Sequence, residues 1–188
     1  MTQPVDPWTQ VKTAHDLAAD EVISALQKEI RRGRTENAAL LAYEMIATSP
    51  ELEQKLWDRL AVISVEDIGF GDPHAPTVID ALERMAQRFA RGSGDRDLFA
   101  IHAVRYLSTQ YKDRSTDELY NWLRLAVERE GLRPAIPDYA LDMHTARGQS
   151  AGRGVRHFLD EGAEVYPELP QRETRYRQRL LDILKGVT

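Results

Sequence analysis

The sequence contains no cysteine. Disulfide bonds, thiolate zinc sites and a cysteine nucleophile are therefore excluded, and the absence favours a reducing compartment. No apolar run approaches the roughly 20 residues that a membrane-spanning helix needs. The segment from Met1 to Trp8 has neither the basic start nor the apolar stretch of a signal peptide. From these features we expect a cytoplasmic protein without a membrane partner.

Sequence motifs for nucleotide hydrolysis and for common hydrolases are also missing. The chain has no phosphate-binding loop of the pattern GxxxxGK[ST]. It has neither the GxSxG turn of serine hydrolases nor the HExxH pair of zinc hydrolases. The sequence therefore favours a non-catalytic protein, and we predict no catalytic residue, no metal and no cofactor.

Positive charge is in short supply, since the formal net charge is −5. Dedicated nucleic-acid binders usually show a basic balance, because neutralising phosphates supplies most of their non-specific affinity. The net charge therefore does not support DNA binding, although the arginines near the C-terminus keep a local DNA contact open as an alternative. With 188 residues, 42% of them apolar, the chain is long enough to bury a core.

Apolar residues recur at helical spacing along most of the chain, and no convincing alternating strand pattern is present. We predict an all-α fold of about seven or eight helices joined by short loops. Residues 1–15 are predicted to form a loosely ordered N-terminal arm, whose Trp8 could dock on a neighbouring chain. Residues 16–188 are predicted to form a single helical domain.

The same periodicity predicts which side chains face the core. In the helix that begins near Ser115, the residues expected to face inward are Leu119, Trp122, Leu123 and Ala126. In the last helix, the apolar positions are Tyr176, Leu180, Ile183 and Leu184.

The run Glu66-Asp67-Ile68-Gly69 places two carboxylates at the end of a helix, where the helix dipole disfavours negative charge. We expect an arginine such as Arg59, or a following helix start, to compensate them. Ile68 should be buried and Gly69 should have a positive φ. The alternative, a metal or general-base pair, is less favoured because catalytic carboxylates need further partners.

A family resemblance starts from this motif. Arg59-Leu60, with the run from Val62 to Pro73, resembles the C-terminal region of replication-associated recombination ATPases of the MgsA/RarA type, which are relatives of clamp loaders. The segment Ile136-Pro137-Asp138-Tyr139, and the glycine-rich run that ends Gly152-Arg153-Gly154 before His157, are similar to the family's closing segment. The resemblance covers about residues 16–170.

The resemblance implies a helical collar-type domain that self-associates, with a role in DNA replication or repair and a replication or repair ATPase as a further partner. The family's ATPase and lid modules are not part of this chain, so the resemblance implies no nucleotide chemistry. The chain also departs from the family within the motif, where Val65 replaces a serine and Val62 replaces an arginine.

A second group of polar residues lies near the C-terminus and comprises Asp142, His144, Arg147, Arg153, His157 and Asp160. Arginines and free backbone N–H groups suit an anion such as phosphate, whereas imidazole and carboxylate suit a metal. The favoured alternative is a loop held by local hydrogen bonds, because such clusters without a motif are usually structural. If a site exists, we expect His144 and His157 to be close enough to share a partner.

These observations support two hypotheses. The first is a non-catalytic oligomerisation or protein-interaction module, most simply a homo-oligomer. The second is a small metal- or phosphate-binding protein or enzyme that uses Asp142, His144, His157 and Asp160.

Overall fold

The computed structural model describes residues 6–186, and within them it contains nine α-helices and no β-strand. The all-α class predicted from the sequence is therefore confirmed. The helices are α1 (Ala19–Arg31), α2 (Thr35–Thr48), α3 (Pro50–Ile63), α4 (Ala75–Ala86), α5 (Gly94–Thr109), α6 (Ser115–Leu125), α7 (Ala146–Ser150), α8 (Val155–His157) and α9 (Arg175–Lys185). The short helix α7 lies in the glycine-rich segment, where no helix was predicted. None of the described helices has the length and apolarity that crossing a membrane requires.

The chain divides after Gly131 into two compact units, and each is described separately. The first unit is residues 6–131 and the second is residues 132–186. The prediction that residues 16–188 unfold as one domain stays a prediction.

Helices α1 to α5 build the core of the first unit. Helix α2 packs against both α1 and α5, and α4 packs against α5. The largest buried apolar side chains come from all five helices, and they include Leu26, Ile30, Met45, Leu52, Leu56, Leu60, Ile79, Val104 and Leu107. Burial of these side chains is the main favourable contribution to folding of this unit.

A buried ionic contact fixes the connection between α4 and α5. Glu53 on α3 is almost fully buried, and its carboxylate accepts hydrogen bonds from Arg91 and Arg96. Arg91 also donates to the carbonyl oxygen of Ile46 at 2.6 Å. A buried carboxylate needs such partners, because an unpaired charge in the interior is very costly.

The part of the predicted N-terminal arm that the structure describes makes specific contacts with the helices. Trp8 and Val11 pack against the core of the chain's own first unit. The backbone N–H of Ala14 donates to Oγ1 of Thr48 at 3.0 Å, and that of His15 donates to Oε1 of Glu44 at 2.9 Å. The looseness of this arm in solution stays a prediction, and residues 1–5 lie outside the described part of the chain.

Glu44 is the anchor of this segment, and its ionisation should make the contact sensitive to acid. Burial acts to raise the pKa of Glu44, but hydrogen bonds from Thr13 and His15 outweigh burial and lower the pKa below its ordinary 4.5. A lowered pKa in the folded state stabilises the protein above the unfolded-state value, and this contribution is lost as the pH falls through the folded-state pKa.

We therefore expect Glu44→Gln to reduce the free energy of unfolding by about 1 kcal/mol at neutral pH. The deficit should shrink as the pH falls below 4.5, because the unfolded state then takes up a proton at this carboxylate before the folded state does, and it should vanish below the folded-state pKa. Urea unfolding of both proteins at neutral and acidic pH measures this difference. A deficit that is the same at both pH values would show that the carboxylate charge is not responsible.

In the second unit, a turn at Asp138–Ala140 packs against a π-helical turn at Phe158–Gly162. Helix α9 is tied to the latter, because Nη2 of Arg177 donates to the carbonyl oxygen of Leu159 at 2.7 Å. Only Leu181 of α9 is buried. Tyr176, Leu180 and Ile183, three of the apolar positions that the sequence places in this helix, are exposed. Periodicity shows that residues share a face, but it does not show what covers that face.

Candidate functional site

The Glu66-Asp67 motif forms a π-helical turn, Ser64–Ile68, that extends α3. Asp67 and Ile68 are fully buried, and Gly69 has a φ of +51°. The burial of Ile68 and the positive φ of Gly69 agree with what we expected from the sequence. A Cβ atom at Gly69 would lie only 2.4 Å from the carbonyl oxygen of Asp113, so the chain segment before α6 passes directly over this glycine.

Arginines from two other parts of the first unit compensate the buried carboxylate of Asp67. Its Oδ1 atom accepts hydrogen bonds from Nε of Arg31 and, at 2.6 Å, from Nη1 of Arg114. Its Oδ2 atom accepts one from Gln27 at 3.0 Å. The backbone N–H of Asp113 also donates to the carbonyl oxygen of Asp67 at 3.0 Å. We call this cluster the Asp67 joint.

Glu66 lies at the edge of the Asp67 joint and contacts the same arginines. Its carboxylate is 3.1 Å from Arg31 and 3.2 Å from Arg114. Arg59, the partner suggested by the sequence, is 3.8 Å from Glu66. Burial acts to lower the pKa of Arg114, but the hydrogen bonds that Arg114 donates to Asp67 and Glu66 outweigh burial and raise the pKa. Both carboxylates are thus engaged in ion pairs, which fits the structural interpretation better than a base or metal site.

The Asp67 joint also holds the start of α6. Arg114 immediately precedes this helix and pairs with Asp117 in its first turn as well as with Asp67. The N–H of Ser115 is held by the carboxylate of Asp113 at 3.0 Å. Two successive residues before the helix are therefore fixed to the motif, so the motif sets the direction in which α6 leaves the core.

No residue of α6 is buried. Leu119 is 53% exposed, Trp122 is 55% exposed, and Leu123 is also exposed. The expectation that these three residues face the core was wrong, although Ala126, which follows α6, is buried as expected. An apolar stripe on a helix of this length does not stabilise it in water by itself, because isolated helices shorter than about 12 residues are marginal.

Exposed apolar side chains are also present at the end of α3 and in its π-helical turn, where they border Tyr120 of α6. An open cavity with a volume of about 650 Å³ forms a concave surface between α3 and α6. It is lined by Ala61, Val62, Val65, Glu66, Thr116, Asp117 and Tyr120. Phe70, which is 75% exposed, lies beside it and shares a smaller cavity with Val65. We define the α6 surface as Val62, Val65, Phe70, Leu119, Tyr120, Trp122, Leu123 and Val127.

In the second unit, Asp142 and His144 form a local pair. The carboxylate of Asp142 is buried and accepts the backbone N–H of His144 at 2.9 Å, and the Nδ1 atom of His144 lies 3.1 Å from it. These hydrogen bonds lower the pKa of Asp142. The ring of His144 meets Phe158 edge-on, with 5.1 Å between centroids. These contacts hold the loop in place, in line with the structural interpretation of this segment given in the sequence analysis.

The other predicted ligands make separate contacts. Arg153 binds the carboxylate of Asp138 through Nη2 at 2.8 and 2.7 Å, and it also donates to the carbonyl oxygen of Leu141. The hydrogen bonds from Arg153 lower the pKa of Asp138, and the charges of His157 and Arg147 lower it further.

Asp160 forms a third set of contacts, with Arg156 and, at 3.8 Å, with Arg177. Four of the six predicted residues, Asp142, His144, Arg153 and Asp160, therefore belong to three local sets of contacts. The other two, Arg147 and His157, act on Asp138 through their charges. The Nδ1 atom of His157 is buried and has no hydrogen-bond partner among the described residues.

No group of three or more His, Asp or Glu residues in the described part of the chain is arranged to hold a metal ion. Binding of an anion at Arg147, His144 or His157 stays a prediction.

Sequence reasoning missed the residues that complete the Asp67 joint. Arg31 and Arg114 are separated from Asp67 by 36 and 47 positions, so no local pattern connects them. A weak signal was present, because a buried carboxylate at a helix end requires a cation from elsewhere in the fold.

The chain matches no protein-family model, and a comparison with curated proteins finds no match. The resemblance to the C-terminal region of replication-associated recombination ATPases therefore supports a proposal about function but does not establish the family.

Proposed function

We propose that this chain is a non-catalytic module that assembles with further copies of itself through the α6 surface. The observation that supports this proposal is that α6, an 11-residue helix with an apolar stripe, has no buried residue. Apolar patches larger than a few hundred Å² are uncommon on monomeric proteins and usually mark an interaction site.

The size of the α6 surface suits a second copy of the chain. A fully buried aromatic side chain removes about 150–250 Å² from water, and an aliphatic one removes less. Weighted by their exposure, the eight side chains of the α6 surface expose on the order of 700 Å². A standard interface buries about 800 Å² on each partner, so this surface is close to what a stable dimer needs.

Its composition also fits self-association. Aromatic residues are enriched at the centres of protein interfaces, and the α6 surface contains Phe70, Tyr120 and Trp122. It presents projecting side chains on α6 beside a concave surface between α3 and α6. A symmetric interface needs projecting side chains and a concave region on the same surface, because that surface must be complementary to itself.

The Asp67 joint has a defined part in this proposal. It fixes the direction of α6, and a preorganised surface loses less entropy on binding than a mobile one. Together with the resemblance stated above, this supports a role as an assembly module in DNA replication or repair, with a replication or repair ATPase as a further partner.

A matched pair of variants tests the proposal. Leu119→Glu places a charge within the α6 surface and should weaken self-association at least about tenfold, because burying an unpaired charge is costly. Leu40→Glu makes the same change on α2, where the side chain is 69% exposed and lies outside the α6 surface, and should leave self-association unchanged.

Sedimentation velocity over a range of concentrations measures both dissociation constants, and circular dichroism checks that the variants fold. Equal self-association of both variants and the native chain would rule out the α6 surface as the interface.

A further inference from the structure

Helix α9 carries a second exposed apolar stripe. Tyr176, Leu180 and Ile183 follow one another at the spacing i, i+4 and i+7, which places them on one face of the helix. They are 62%, 40% and 65% exposed. The buried residue of α9, Leu181, lies on another side of the helix. The stripe is therefore turned away from the contacts that hold α9 in the second unit.

Helices α6 and α9 have the same length but opposite charge. Each has 11 residues. Helix α9 has a formal net charge of +3, from four basic residues and one acidic residue. Helix α6 and the turn that follows it to Glu130 have a formal net charge of −2, from four acidic and two basic residues. Opposite charge favours contact between two surfaces, so α9 is complementary to α6.

One uncompensated charge flanks each stripe. Glu118 lies four residues, or about one helical turn, before Trp122 of α6. Arg179 lies four residues before Ile183 of α9. Among the described residues, Glu118 and Arg179 form no ion pair. The other charged residues of these two helices do, and they are Asp117, Arg124, Arg175, Arg177, Asp182 and Lys185.

The stripe of α9 also supplies apolar area that the α6 surface lacks. Its three side chains expose on the order of 250 Å². A standard interface buries about 800 Å² on each partner, and the α6 surface alone falls slightly short of this area. With the α9 stripe included, one copy of the chain exposes more apolar area than such an interface needs.

We propose that α9 of one copy of the chain lies on the α6 surface of a second copy, and that Arg179 of the first pairs with Glu118 of the second. This inference rests on the proposed function, because it names the part of the second copy that covers the α6 surface. In a twofold dimer the contact occurs twice, since each copy supplies one α6 surface and one α9. Apolar side chains around the ion pair exclude water, which strengthens the attraction between the two charges.

Contact between two α6 surfaces alone fits these observations less well. It would bring two Glu118 carboxylates into one interface without a cation between them, and like charges oppose association. It would also leave the stripe of α9 exposed. Contact between two α9 helices has the same weakness with the opposite sign, because both helices are basic.

Mixing two charge-reversed chains tests the proposal. Glu118→Arg places a like charge opposite Arg179, and Arg179→Glu places one opposite Glu118. Each variant alone should therefore self-associate at least about tenfold more weakly than the native chain. An equimolar mixture of the two should recover an affinity within about threefold of the native value, because both contacts of the mixed dimer again join an arginine to a glutamate.

A control pair makes the same changes of charge elsewhere. Glu161→Arg and Arg88→Glu alter exposed residues outside the α6 surface and α9, and both should self-associate like the native chain, alone and mixed. Sedimentation velocity over a range of concentrations gives the dissociation constants, and circular dichroism checks that each variant folds.

Two results of the mixing experiment would overturn the inference. The first is native self-association of Glu118→Arg and Arg179→Glu. The second is a loss in both variants that mixing does not reverse, because α6 and α9 of different copies then make no contact. If Leu119→Glu weakens self-association while these variants do not, the α6 surface remains the interface and α9 is not its partner. An unchanged affinity of Leu119→Glu would instead contradict the proposed function itself.

The absence of cysteine allows a second measurement that does not depend on charge reversal. Chains with Glu118→Cys and chains with Arg179→Cys are mixed and treated with oxidised glutathione, and mass spectrometry identifies the linked dimers. Dimers with one chain of each kind should form in clear excess over dimers of two identical chains. A statistical mixture of the three linked dimers would contradict the inference, even if a charge-reversed variant does not fold.

Discussion

Asp67→Asn should lower the free energy of unfolding by about 3 kcal/mol. Asp67 is fully buried, and its carboxylate accepts hydrogen bonds from Arg31, Arg114 and Gln27. Asparagine has nearly the same shape but no charge, so Arg31 and Arg114 would lose their buried counter-charge and keep only the partly exposed carboxylates of Glu66 and, for Arg114, Asp117. Breaking a buried pair costs about 3–5 kcal/mol. We expect the lower end, because Arg31 and Arg114 keep 28% and 29% of their side chains exposed to water.

Urea unfolding at neutral pH measures this loss, and Asp80→Asn is the matched control. Asp80 pairs with Arg84 on the exposed side of α4, where both side chains are more than half exposed. Exposed pairs contribute about 0–1 kcal/mol, so the control should differ little from the native chain. Similar losses in Asp67→Asn and Asp80→Asn would show that the Asp67 joint does not stabilise the fold in the way described.

Gly69→Ala should destabilise the protein by about 3 kcal/mol, through two effects that act together. The φ of +51° is a conformation that side-chain-bearing residues rarely adopt. The new Cβ atom would also lie 2.4 Å from the carbonyl oxygen of Asp113, and this backbone atom belongs to the segment that fixes α6. We therefore expect α6 to lose part of its fixed orientation as well.

Gly92→Ala separates the two effects. Gly92 has a φ of +82° but no atom within 4 Å of the added Cβ, so this variant has the conformational strain without the clash. It should cost about 1 kcal/mol. Thermal or urea unfolding of both variants gives the difference, and equal losses would mean that contact with Asp113 contributes nothing.

The helices of the first unit were predictable because local signals mark them. Ser49 and Pro50 begin α3 as expected, and the hydroxyl of Ser49 accepts the N–H of Leu52 at 3.2 Å. The apolar residues of α1, such as Leu26 and Ile30, are buried as their spacing indicates. A helix start and a repeating apolar face depend on neighbours in sequence, so the sequence alone contains this information.

The sequence predicted that an arginine would pair with the carboxylates of the Asp67 joint, but it did not predict which arginine. A carboxylate at a helix end needs a cation, and the sequence suggested Arg59, which is close in sequence. The fold instead supplies Arg31 from α1 and Arg114 from the segment before α6. The choice among arginines depends on how helices pack, which no local pattern specifies.

The exposure of α6 and α9 could not be predicted for a related reason. Leu119, Trp122 and Ile183 recur at the spacing of a buried face, yet all three are exposed. An apolar stripe is the same whether it covers the core of its own chain or a partner. The residues of α6 that were expected to face the core are exposed, and this exposure is what supports an interface there.

The central claim, self-assembly through the α6 surface, is tested most directly by the molar mass of the native chain in solution. One chain has a mass of 21.4 kDa. For an interface near the standard size we expect a dissociation constant in the micromolar range or tighter, so light scattering at about 50 µM should give at least twice this mass. A mass of 21.4 kDa that does not change with concentration up to this value would contradict the account.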